Sequence, residues 1–228
     1  MLRVWRLNTS RRRFRFAEKG FRVQMGGPLM ENAAQTLKEA EEKTFNLTGH
    51  NAVVGFDGFV DKIVTPIDQR HGMGDNFDPI ETIAELGKRI SAAAGKSANI
   101  ELFSRFEKLG GNGPIMANAL LSLGLGTRYV GALGYPQPHP VFKEFVEKTE
   151  AVTLADPGIT TALEFKDGKL MFGNMKSLDE VDYPRILEVC EEGKFIDMLS
   201  RANLVAIVNW TMIPKMTSTL VEILEKVM

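Results

Sequence analysis

Cysteine occurs once, at Cys190, so no disulfide framework can form, and a reducing, cytoplasmic setting is the default expectation. Histidine is scarce as well. His50, His71 and His139 lie far apart without metal-ligand spacing, so no metal site is expected. No apolar run approaches the length that spans a bilayer, which argues against a membrane partner. Neither sign of charge dominates: 28 Lys and Arg stand against 29 Asp and Glu. Nothing global therefore points to nucleic acid. What is present is ordinary for a soluble globular protein, with 44% hydrophobic and 25% charged residues in 228. That length can bury a full core.

The charge is unevenly placed. Residues 1 to 24 carry Arg3, Arg6, Arg11, Arg12, Arg13, Arg15, Lys19 and Arg22 against Glu18 alone. An arm of this kind contacts phosphates, or resembles an Arg-rich, acid-poor transit peptide. It lacks apolar periodicity and has few interleaved aromatics, so residues 1–28 read as a disordered basic arm ahead of one α/β domain over 29–228.

The centre of that domain is Leu109-Gly110-Gly111-Asn112-Gly113-Pro114, followed by a small and apolar run to Gly124. Pro114 suits the first helical position, and Ile115, Ala119, Leu120 and Leu123 recur at helical spacing. A glycine turn that opens a helix leaves backbone N–H groups aimed outward and lets a ligand approach closely. Ala117 and Ala119 would let the helix lie tight on a sheet.

Elements alternate along the chain. Residues 29–45 show an amphipathic helix and Ala52–Phe56 a buried strand. Asp78-Pro79-Ile80-Glu81 reads as a helix start, with Ile80, Ile83, Ala84, Leu86, Gly87 and Ile90 on one face. Strands follow over Ile100–Phe106 and Thr127–Leu133. Asp167-Gly168 is a two-residue hairpin turn, pairing Phe165 with Leu170, Leu163 with Phe172, and Glu164 with Met171. Asp182-Tyr183-Pro184 opens a helix in which Cys190 is apolar filler. Leu204–Val208 is continuously apolar, as a strand covered on both faces must be. It ends at Asn209, where ligands of parallel sheets gather. The last segment, Thr217–Met228, is an amphipathic helix through Leu220, Val221, Leu224 and Val227. No strand follows it, so the domain reads as cut off.

Gly110-Gly111-Asn112-Gly113, Ala117-Asn118-Ala119-Leu120, Leu123-Gly124 and Val130-Gly131-Ala132-Leu133-Gly134 together resemble the first signature of the ribokinase-like (PfkB-type) carbohydrate kinases, from about Asn51 onward. Two departures stand out. Ile115 replaces the family's usual asparagine, and Tyr135-Pro136 stands where an acidic residue is common. The resemblance implies a mostly parallel sheet flanked by helices. It also implies a small β lid with strands near 59–67, 100–107 and 160–173. It further implies a sugar or polyol pocket formed by Gly110, Gly111, Asn112 and Asn118, with Asp57 or Asp61 as the sugar-binding carboxylate. Asp61 matches better because Ile63-Val64 follows. Glu164 on the hairpin and Asn209 complete the candidate contacts.

The chemistry of phosphoryl transfer is only half present. Gly95-Lys96-Ser97 lacks the glycine and strand of a phosphate-binding loop. Gly72-Met73-Gly74-Asp75 has the composition of the family's anion hole and catalytic aspartate. It lies before the glycine turn, however, where the family's motif lies C-terminal to all of these segments. No catalytic residue is therefore assigned. By resemblance the complete enzyme would use ATP and Mg²⁺, neither bound by this chain alone, and a homodimer or a complementing C-terminal half would be its protein partner. The readings that stay open are a sugar kinase's acceptor portion, a non-catalytic polyol-binding fragment, and a nucleoside kinase of the same fold.

Overall fold

The computed structural model describes residues 47–227; the basic arm and the helix expected over 29–45 lie outside them. Two sheets organise the described chain. The first is parallel, in the order β6 (Val152–Thr153), β5 (Gly126–Gly131), β1 (Asn51–Phe56), β9 (Leu204–Ile207). Val54 lies between Tyr129 and Ala206 in register. Strands of continuous apolar residues need cover on both faces, and helices supply it. On one side α2 (Asn112–Ser122) and α3 (Lys143–Thr149) bury Ala52, Val54, Ala117, Tyr129 and Phe145 together. On the other, α4 (Tyr183–Cys190), α5 (Glu192–Ser200) and α6 (Met216–Val227) bury Val53, Phe56, Val130, Phe195 and Ile223. Each large apolar side chain so buried contributes about 1.5–3 kcal/mol.

The second sheet is mixed. β2 (Phe59–Arg70) pairs antiparallel with β4 (Leu102–Gly110) and parallel with β7 (Gly158–Phe165). β7 continues antiparallel into β8 (Gly168–Asn174), while β3 (Phe77–Pro79) joins the far end of β2. The segments 59–67, 100–107 and 160–173 all contribute strands to this one sheet. α1 (Ile83–Ala92) packs on it through Leu86, with Ile80, Val64 and Leu163.

Several expectations are corrected. Asp78-Pro79 does not start a helix: Phe77–Pro79 is strand β3, and α1 begins after Thr82. The Thr82 hydroxyl accepts from the Glu85 amide while the Glu85 carboxylate accepts from the Thr82 amide, a reciprocal cap that outweighs the Asp-Pro signal. Ile90, expected on the buried face, is 56% exposed. α2 begins at Asn112, so Pro114 is its third residue, and Ile115 and Leu123 face outward while Ala117 meets the sheet.

The hairpin register is slipped by two. Phe165 pairs with Gly168 and Leu163 with Leu170, because Lys166-Asp167 form the turn and the Asp167 carboxylate accepts from the Ile83 amide. A slip of two keeps every side chain on its expected face. β9 is only partly covered: Leu204 and Val205 stay partly open, and among the described residues the strand pairs with β1 alone. α6 buries Met216, Thr219 and Ile223, whereas Val221, Leu224 and Val227 are exposed.

Candidate functional site

Two strands hand over at one place. β1 leaves the parallel sheet at Phe56, and Asp57-Gly58 carry the chain into β2 of the second sheet. β4 ends at Gly110, and Gly111 turns it into α2. The turn requires glycine at Gly111, whose φ is +100°, a conformation L side chains rarely adopt. Gly110 answers to a different need: a Cβ there would lie 2.5 Å from Oδ1 of Asp61. The Asp61 carboxylate thus lies directly over the bare Gly110 backbone.

The two acidic candidates behave differently. Asp57 is fully buried. Its Oδ1 accepts from the Gly113 amide (2.8 Å), and its Oδ2 accepts from the Asn112 amide (2.8 Å) and the Asn209 carboxamide (2.7 Å). The Tyr129 hydroxyl donates to the Asp57 carbonyl. Burial pushes the Asp57 carboxyl above the ordinary carboxylate range, and the bonds from Asn209, Gly113 and Asn112 pull it partly back. Burial beside Asp57 likewise pushes the Tyr129 phenol far up. The amides that the turn was expected to offer a ligand are therefore satisfied by the chain's own carboxylate.

Asp61 is only partly buried, and among the described residues its carboxylate accepts no hydrogen bond and joins no ion pair. Across the sheet it is flanked in register by Lys108 of β4 and by the buried Thr160 of β7. Nothing local in the sequence marked Tyr129 or Thr160, since each meets its partner across long stretches of chain.

The remaining candidates separate. Gly110, Gly111 and the exposed Asn112 side chain stay with Asp61 and Asp57 at the turn, and Asn209 joins them through Asp57. Asn118 instead lines a cavity of about 400 Å³ with Leu109, Val141, Lys143 and Phe145. Glu164 lies four residues beyond Thr160 on β7, roughly 13 Å along the strand. It pairs with Lys169 at 2.8 Å, and that bond holds its carboxyl below the usual range. The Gly72–Asp75 segment is the tip between β2 and β3, clamped by the Arg70 guanidinium on the Gly72 and Gly74 carbonyls.

Among the described residues no group of three or more His, Cys, Asp or Glu is placed to hold a metal ion. The first two α2 amides, those of Asn112 and Gly113, are taken by Asp57 and so are not free for an outside anion.

A helix-flanked parallel sheet, a second sheet springing from it, and a glycine turn opening a helix at their junction define the ribokinase-like (PfkB-type) class of α/β carbohydrate kinases. The family model described as prokaryotic ketohexokinase matches residues 30–228, and the chain belongs to that family. A ketohexokinase of Haloferax volcanii is 28% identical over 186 residues, which cover 81% of this chain and 48% of that protein. Among solved structures, a carbohydrate kinase from Agrobacterium tumefaciens aligns at a TM-score of 0.49 with 14% identity, covering 77% of this chain and 50% of that one. A ribokinase from Arabidopsis thaliana, complexed with ribose and ATP, aligns at 0.46 with 13% identity, covering 79% and 50%. The chain thus spans about half the length of the relatives it matches.

Proposed function

We propose that this chain carries the acceptor-sugar pocket of an ATP-dependent ketose kinase. The observation that bears the reading is Asp61: a carboxylate with no hydrogen-bond or ion-pair partner among the described residues, laid over Gly110 at the glycine turn. A sugar is a ring of hydroxyl donors, and a carboxylate open to it accepts charge-assisted hydrogen bonds. The bare backbone of Gly110 and Gly111 lets the Asp61 and Asp57 carboxylates close in on the turn, and the exposed Asn112 side chain beside it offers a further polar contact. The membership shared with proteins named ketohexokinase points to a ketohexose over an aldose or a nucleoside. Kinase chemistry takes its phosphoryl group from ATP with Mg²⁺. No step of that transfer is assigned to these residues.

Calorimetric titration with D-fructose tests the reading, with D-glucose and adenosine as controls. The chain binds D-fructose, and Asp61→Asn weakens binding roughly 10- to 100-fold, the equivalent of the 1.5–3 kcal/mol of a charged hydrogen bond. Equal binding by Asp61→Asn, or a preference for adenosine, overturns it.

A further inference from the structure

Resting on that acceptor reading, we infer that Asp57 and Asn209 form a positioning latch: they hold the Gly110-Gly111 wall of the pocket in place without touching the sugar. The Asp57 carboxylate receives three donors on two oxygens, all between 2.7 and 2.8 Å, and no face of it reaches solvent. Two donors are main-chain amides at the start of α2, where an outside anion would otherwise sit. The third comes from the chain just beyond β9, the strand paired with β1. Asn209 follows β9 in the left-handed conformation (φ 62°), which asparagine tolerates better than most residues, and this aims its carboxamide back at Asp57.

The consequence is mechanical. Asn112 and Gly113 are tied to the end of β1, and through Asn209 to the end of β9. Gly111 and Gly110 precede them directly, so their backbone has little room to move. Asp61 lies on Gly110, so the gap between carboxylate and turn is set by the latch. Of the three donors Asn209 alone is a side chain, and so it can be altered without touching the turn.

The test is therefore Asn209→Asp, which keeps size and the left-handed conformation but exchanges a donor for a second carboxylate. The groups facing the Asp57 carboxyl are the Asn112 and Gly113 amides from α2, its own backbone amide and the Asn209 carboxamide just beyond β9, while the Tyr129 phenol of β5, pushed far up by burial and by Asp57, donates to the Asp57 carbonyl. Two adjacent buried carboxylates share a proton at low pH and repel when both ionise. Affinity of Asn209→Asp for D-fructose falls about 10-fold or more at about pH 8 and returns to within about 2-fold of the unsubstituted chain at about pH 5. The unsubstituted chain shows no such recovery of affinity on acidification. Asn209→Gly, which keeps the backbone conformation but has no donor, loses affinity at both pH values without recovery.

Unchanged affinity of Asn209→Asp at about pH 8, with the Asn112 and Gly113 amide resonances shifted, overturns the proposal and leaves a static helix cap. Should that variant unfold, Asn209→Gly decides, and unchanged affinity there overturns it too. No D-fructose binding by the unsubstituted chain sinks the acceptor reading itself. Binding that needs Asp61 but ignores Asn209 sinks the latch alone.

Discussion

Asp57 and Asp61 are four residues apart, and the sequence offers both as the sugar-binding carboxylate, with Asp61 the better match. The fold parts them by what surrounds each. Asp57 is enclosed and fully bonded, whereas Asp61 lies open over Gly110. A third residue, Cys190, shows how burial alone sets reactivity. Its apolar surroundings in α4 push the thiol up to about 11. The neutral thiol is what the fold prefers, so its contribution to stability is full below the unfolded thiol's value near ~8.5 and is lost as pH rises through about 11. At about pH 8 the folded chain should therefore be alkylated by iodoacetamide roughly 200-fold more slowly than the urea-unfolded chain, from the thiolate fractions alone. Equal rates, followed by mass spectrometry, would refute the shielding of a half-buried Cys190. That this cysteine was filler is legible from the apolar spacing around it. Which of the two aspartates is enclosed is not, because the donors that enclose Asp57, from Asn112, Gly113 and Asn209, lie far along the chain.

At the scale of elements, local signals compete, and the neighbours decide between them. Asp78-Pro79 and Thr82-x-x-Glu85 are both credible helix starts within five residues. The pairing of Phe77–Pro79 with the end of β2 removes the first from contention. Thr82→Ala should accordingly lower stability by about 1 kcal/mol, within the 0.5–2 kcal/mol range of lost caps, as read from urea unfolding. Asp78→Ala, an exposed strand residue, should change it by less than half as much, and the reverse order would defeat this assignment. The hairpin shows the same competition. Asp167-Gly168 is a good turn pair in isolation, yet the carboxylate of Asp167 is drawn to the Ile83 amide of α1, and the turn moves back by one residue. The period-2 alternation survives that shift, which is why the faces of β7 and β8 were readable and their partners were not.

For the whole molecule the consequential feature is the rim of the parallel sheet. β9 pairs with β1 on one side, and its Leu204 and Val205 remain 36% and 42% exposed. Exposed Val221, Leu224 and Val227 on α6 add to the apolar surface. Open strand edges of this kind recruit other chains. The chain should self-associate at high concentration, and Val205→Lys should shift it toward monomer in analytical ultracentrifugation. A monodisperse unsubstituted monomer would overturn this. Alternating helix and strand periodicity, with glycine and proline as punctuation, was enough to establish by itself the α/β class, the strands β1, β5 and β9, the helices α4 and α6, and the glycine turn as the centre of interest. Those features depend on neighbours in the chain. The pairing of Asp57 with Asn209, the openness of Asp61 and the removal of Glu164 and Asn118 from the turn were decided only by the tertiary structure. Hydrogen-bond partners 55 to 152 residues apart are chosen by how sheets and helices stack, and no local pattern encodes that choice.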